Sequence, residues 1–231
     1  MNSIPPIVEL RQYTVRGGRR DTFIERFEAR FIESQEVLGG HVLGIFRDLD
    51  DPDRFVWLRG FDSLEARFKA LDGFYSGPVW QANRAETNAD IVDSDNVLLL
   101  NPAGGSSLTR TGTAKLIALQ VQYLPASAAS AYAEFFETVI GPRIRAAGGE
   151  ALASLATYPG PNNYPRLPIR EAETVHIWFG RFADEADHAA FARRLAIQSG
   201  WRDGAPEAVL PALMRKPEVL RLAPTARSRW R

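Results

Sequence analysis

Phe55-Val56-Trp57-Leu58-Arg59-Gly60-Phe61 and His176-Ile177-Trp178-Phe179-Gly180-Arg181-Phe182 read as one strand written twice. In this register Trp57 sits over Trp178 and Phe61 over Phe182. Each copy runs into a helix start, Asp62-Ser63-Leu64-Glu65 and Asp184-Glu185, where an acidic or hydroxyl side chain can cap the free amides of a first turn. Working outward, a short strand precedes each copy, His41 to Arg47 and Ala151 to Tyr158. Before it stands a helix that stops at a double glycine, Gly39-Gly40 or Gly148-Gly149. Those helices carry apolar stripes at helical spacing, Phe23, Ile24, Phe27 and Phe31 in one and Tyr132, Phe135, Phe136, Val139 and Ile140 in the other. The opening strands are Ile7 to Val15 and Leu116 to Leu124. Set against each other at Tyr13 and Tyr123, they place apolar Leu119 and Val121 where the first half has Glu9 and Arg11. A further helical piece and a short apolar strand, Val97 to Leu100 and Val219 to Leu222, close each half.

Both halves therefore read β-α-β-β-α-β, the ferredoxin-like order. The expected fold is α+β, with two tandem ferredoxin-like units over residues 1–100 and 114–222. A Gly-, Ser- and Thr-rich linker over 101–113 joins them, and an arginine-bearing, loose tail follows over 223–231. A ferredoxin-like sheet is covered by helices on one face only, so two such sheets can bury their open faces against each other as a dimeric-type α+β barrel. The insertion over 159–173, with four prolines, is too long for a tight hairpin and reads as a functional loop or lid.

Composition narrows the chemistry. The 231 residues carry 28 Lys+Arg against 28 Asp+Glu, which argues against nucleic acid as a partner, since phosphate binding draws on a basic surface. The absence of cysteine removes disulfides, thiolate metal sites and thiol nucleophiles. Three scattered histidines give no metal-ligand spacing. Asp48 to Asp53 lacks the glycine and distant glutamate of a calcium loop and reads as a hairpin turn. No run of about 18 apolar residues and no secretory pattern at the start lead to the expectation of a cytoplasmic protein without a membrane partner. The partners left open are a small-molecule ligand and a second copy of the chain; no cofactor and no metal are expected.

Glu9-Leu10-Arg11-x-Tyr13-x-Val15-x-Gly17 resembles the opening strand of the NIPSNAP family. Val56-Trp57-Leu58-Arg59-Gly60-Phe61-Asp62-Ser63-Leu64-Glu65-Ala66-Arg67 is similar to that family's third strand and following helix, and Phe74-Tyr75-x-x-Pro78-x-Trp80 to its next segment. The resemblance covers residues 7 to 100 and reaches the second half in outline. It implies a ferredoxin-like fold with barrel pairing and no agreed enzymatic activity. The family's wider relatives include haem-binding enzymes and cofactor-free monooxygenases.

Strand alternation sorts the side chains into faces. Glu9, Arg11 and Tyr13 share one face of the first strand, and Phe55, Trp57, Arg59 and Phe61 one face of the third. Aliphatic Val8, Leu10, Val56 and Leu58 lie opposite. The aliphatic set is expected against the helices and the mixed set inside the barrel, joined there by Tyr123, His176, Trp178 and Phe182 from the second half. Aromatic walls with a few polar groups describe a small-molecule pocket, and equally a packed interior with paired charges. The candidate ligand-binding residues are Glu9, Arg11, Tyr13, Trp57, Arg59, His176 and Trp178, with Tyr13 and His176 as catalytic candidates. Two readings of function stand: a binding or interaction module, or a cofactor-free monooxygenase or isomerase working in the barrel cavity, with haem binding a lesser variant.

Overall fold

The structure is a computed structural model that describes residues 4–104 and 114–231. Eight antiparallel strands close into a barrel. In chain order they are β1 (Ile7–Val15), β2 (His41–Asp48), β3 (Arg54–Phe61), β4 (Ile91–Pro102), β5 (Leu116–Leu124), β6 (Glu150–Thr157), β7 (Thr174–Phe182) and β8 (Glu218–Pro224). Around the barrel they run β1-β3-β2-β8-β5-β7-β6-β4, which sets β1 diametrically across from β5 and β3 across from β7. The seams are β2 with β8, through Phe46 and Pro224, and β4 with β6, through Leu100 and Thr157. β4 thus runs two residues into the stretch read as a linker; most of that stretch lies outside the described residues.

The helices wrap the outside. α1 (Arg20–Arg30) and α2 (Ile32–Glu36) join β1 to β2, and α3 (Leu64–Ser76) and α4 (Pro78–Asp90) join β3 to β4. In the second half α5 (Ala129–Phe135) and α6 (Gly141–Ala146) flank a π-helical turn at Phe136–Ile140, and α7 (Glu185–Ala196) and α8 (Leu210–Met214) precede β8. Ser63 and Asp184 cap α3 and α7 by accepting from the amides of Ala66 and Asp187 at 3.0 and 2.9 Å. Gly39 and Gly148, at φ +88° and +81°, end the helical segments before β2 and β6, where a side chain would be strained.

The barrel interior overturns the assignment of faces. Its core contains Val8, Leu10, Val56, Leu58, Leu98, Leu100, Ile117, Leu119, Val121, Leu155, Ile177, Phe179, Leu220 and Leu222, and draws on all eight strands and no helix. An eight-stranded barrel is just wide enough for side chains to fill, and branched aliphatics fill it without stranding a polar group. The mixed face carrying Tyr13, Phe55 and Trp57 packs instead under the helices, against Phe23, Phe27, Phe31 and Phe74. There the side chain of Gln35, from a helix, reaches the guanidinium group of Arg59. Two local details shift strand parity. Bulges between Val42 and Gly44 and between Ala151 and Ala153 turn β2 and β6 by one residue partway along.

The pairing of the opening strands also differs from the tyrosine alignment. Arg11 pairs with Trp57, and Gln120 pairs with Trp178. Gln120, not Val121, therefore holds the place of Arg11, and Ala118 that of Glu9. A slip of one residue turns every side chain to the other face. Tyr123 accordingly belongs to the interior core, while His176 and Trp178 face the helices. The tail is not loose. Thr225 and Trp230 donate their amides to the carbonyls of Ile45 and Leu43 on β2, and the Trp230 ring, 2% exposed, closes one part of the core edge-on to Phe179.

Candidate functional site

Under the helices of the first half lies a fully buried ion cluster. The Glu9 carboxylate accepts from Arg11 Nη1 at 2.9 Å, from Arg59 Nη2 at 2.6 Å and from Arg67 Nε at 2.7 Å. β1 contributes Glu9 and Arg11, β3 contributes Arg59 opposite Glu9, and the first turns of α3 lower Arg67 onto the same carboxylate. Arg59 Nη1 also donates to Gln35 Oε1 of α2 at 2.7 Å, and Arg67 Nη1 to Asn162 and Asn163 Oδ1 at 3.0 and 2.6 Å. Three guanidinium groups share one carboxylate, so the cluster carries surplus positive charge with all four residues at most 1% exposed. Burial alone would raise the Glu9 pKa, but Arg59, Arg11 and Arg67 overcome it and hold the carboxyl far below the usual range.

Arg11 links this cluster to a cavity of about 250 Å³. Its Nε donates to the Tyr13 hydroxyl at 2.9 Å, and its guanidinium lies 5.7 Å from the Trp57 ring centre. Tyr13, Trp57, Phe23, Phe27 and Phe31 line it together with Phe74, Tyr75 and Trp80 of α3 and α4, where Phe74 and Trp80 meet Phe31 ring to ring. Gln35, Thr87, Asn88, Ile91, Ser94 and Leu167 complete it. The Trp57 indole N–H is buried with no hydrogen-bond partner among the described residues. Burial holds the Tyr13 phenol above its ordinary pKa despite Arg11 beside it, so it is a proton donor at neutral pH. The cavity therefore offers donors and positive charge to an aromatic space, and no free base.

Of the seven sequence-chosen residues, Glu9, Arg11, Tyr13, Trp57 and Arg59 come together. His176 and Trp178 stand across the barrel. His176 Nε2 is 2.9 Å from Ser154 Oγ, with its ring 4.3 Å from Phe136 at the π-helical turn and 5.2 Å from Tyr132. Trp178 packs on Phe191 beside a more open hollow with Gln120, His188 and Trp201. The charges of the first half are not repeated there. Gly180 occupies the place of Arg59, and a Cβ on it would lie 2.6 Å from the Trp178 ring.

Burial depresses the His176 pKa to about 4. A histidine with a lowered folded pKa stabilises the fold fully above its unfolded pKa of about 6.5, and that contribution fades as pH falls toward 4. Wild-type stability should thus drop by up to about 3 kcal/mol from this residue between pH 6.5 and 4, and urea titrations of a His176→Gln variant should show that part of the slope gone.

Glu9, Arg11, Arg59 and Arg67, four residues of the two motifs that resemble NIPSNAP sequences, make the buried cluster. Residues 8–105 match the NIPSNAP family. A NIPSNAP-like domain protein from Burkholderia xenovorans is 28% identical over 43% of this chain and 87% of its own, with a TM-score of 0.40. Over nearly the whole chain the fold is shared with an anthrone oxidase-like protein, 12% identical, covering 97% of this chain and 94% of that one at a TM-score of 0.65. A candidate monooxygenase of Lactobacillus acidophilus NCFM is 14% identical, covering 95% and 94%, at 0.57. No curated protein sequence matches the chain. The NIPSNAP segment ends before β5, so Leu167, Asn162 and Asn163 reach the cavity and its cluster from outside it. Arg67, Phe74, Tyr75 and Trp80 stood in the quoted motifs, and their aromatic and basic character was the available signal. Nothing in the sequence marked Gln35. Among the described residues no group of His, Asp and Glu is placed to hold a metal ion, and no helix is long and apolar enough to cross a membrane.

Proposed function

We propose that the protein binds a planar aromatic anion in the cavity above Arg11, in the first of two tandem ferredoxin-like units. The unit reading is supported by the strand order, in which β4-β1-β3-β2 is followed by β8-β5-β7-β6 in the same relative arrangement. The single observation that carries the ligand class is the surplus of buried guanidinium groups opening on an aromatic cavity through Arg11. A buried charge calls for a counter-charge, and a ligand carboxylate or phenolate supplies it. Tyr13, itself a proton donor, and the unpartnered Trp57 N–H add neutral donors for the same oxygen atoms. An apolar cavity of ~150 Å³ holds one benzene ring, so about 250 Å³ suits two fused rings with one charged substituent.

Binding of 2-naphthoate and of neutral 2-naphthalenemethanol, followed by fluorescence of the wall tryptophans Trp57 and Trp80 and by calorimetry, tests this reading. The carboxylate should bind at least about tenfold tighter, the value of a hydrogen bond to a charged group. Equal affinities, or no binding of either, would overturn it.

A second reading follows from the names of the fold neighbours, which include an anthrone oxidase-like protein and candidate monooxygenases. Here the ligand is a ketone whose activated methylene gives a proton to solvent; Arg11 and Tyr13 stabilise the resulting enolate, and dioxygen oxidises the methylene carbon to a carbonyl. One oxygen atom enters the product and the other leaves as water. Oxygen uptake with 1,3-indandione, a two-ring ketone with an activated methylene, measured with and without the protein, distinguishes turnover from binding alone.

A further inference from the structure

We infer that Leu167, brought over from the second half, limits the size of ligand the first-half cavity accepts; this rests on the aromatic-anion reading above. The segment between β6 and β7 crosses to the first half and is fastened there at three places. The Tyr158 amide donates to Leu99 O at 2.9 Å, and the Arg170 amide to Val97 O at 2.8 Å, so both ends run along β4. In the middle, Asn162 and Asn163 accept from Arg67, and Asn163 Nδ2 donates to Leu64 O at 2.6 Å. Tyr164 is buried with its ring 5.7 Å from Phe68 and 6.5 Å from Tyr75.

Between these fastenings the chain turns back on itself. The Leu167 amide donates to Tyr164 O at 3.0 Å, and Asn162 Nδ2 donates to Leu167 O at 2.8 Å. The turn holds half-buried Leu167 in the lining of the cavity that Arg11 also lines, where it packs with Tyr75 against the cluster of Phe61, Leu71, Leu99 and Tyr164. All other lining residues come from the first half. A segment this firmly tied behaves as a fixed wall. Asn162, which holds the turn, also contacts Arg67 of the charge cluster, so wall and anion site are built on the same support.

The affinities of benzoate, 2-naphthoate and anthracene-2-carboxylate, for wild type, Leu167→Ala and Leu167→Trp, test the inference, with thermal unfolding checking that each variant is folded. Wild type should prefer 2-naphthoate. Leu167→Ala should favour anthracene-2-carboxylate over 2-naphthoate by about tenfold more than wild type does, in line with the discrimination that small volume changes in apolar pockets produce. Leu167→Trp should weaken 2-naphthoate by about tenfold and leave benzoate unmoved. Wild-type binding with a size preference that neither variant shifts overturns the inference and leaves the aromatic-anion reading standing. No binding of any carboxylate by wild type overturns both.

Discussion

Glu9→Gln should cost the fold about 3–5 kcal/mol, the range seen when one partner of a buried charge network is removed. Glutamine keeps the shape and one acceptor oxygen but removes the carboxylate that Arg11, Arg59 and Arg67 share. Three buried guanidinium groups are then left with Gln35, Tyr13, Asn162 and Asn163 as neutral partners. At roughly 2–4 °C per kcal/mol for a chain of this size, the melting temperature should fall by about 10 °C. Acid titration gives a second, independent signature. The Glu9 pKa is lowered on folding, so its contribution is complete above the unfolded carboxylate range near 4.5 and fades progressively below it. Wild type should lose stability steeply below about pH 4.5, and the variant should lack that component. Equal melting temperatures and parallel acid profiles would show that the cluster is neutralised in some other way.

The order of strands and helices is legible because its signals are local: a tryptophan-centred strand, a capped helix, a glycine stop. Which face of each strand looks inward is not. Alternation shows that Glu9, Arg11 and Tyr13 travel together and that Val8 and Leu10 oppose them, but β1 is buried on both sides, so parity gives two solutions of equal merit. What separates them is a property of the closed barrel. Its interior has no room for a guanidinium with its several partners, while a helix layer can supply Gln35 and Arg67 from positions distant in sequence. Residue identity misleads in a second way. Tyr13 and Tyr123 invited alignment, yet the ladder puts Gln122 beside His176 as Tyr13 stands beside Phe55. Trp230 shows a third limit. One aromatic residue among arginines gives no periodicity, and its burial is decided by β2, whose carbonyls its segment reaches.

Arg11→Gln should separate binding from folding. Glu9 keeps Arg59 and Arg67, so the carboxylate remains doubly paired and the cost to stability should stay well below that of Glu9→Gln. The cavity, however, loses the one guanidinium that lines it. A hydrogen bond to a charged group is worth about 1.5–3 kcal/mol, so 2-naphthoate should bind about 10- to 100-fold more weakly to the variant. Neutral 2-naphthalenemethanol should be unaffected, because the aromatic walls are untouched. Lysine at the same position restores a charge but not the planar fork that reaches Tyr13 and Glu9 together, so Arg11→Lys should recover only part of the loss. Salt dependence supplies the control: the site is buried, so added salt should weaken the wild-type complex less than it would a surface ion pair. If Arg11→Gln bound the carboxylate as wild type does, the anion would have to be read elsewhere, and the surplus charge around Glu9 would be a matter of folding alone.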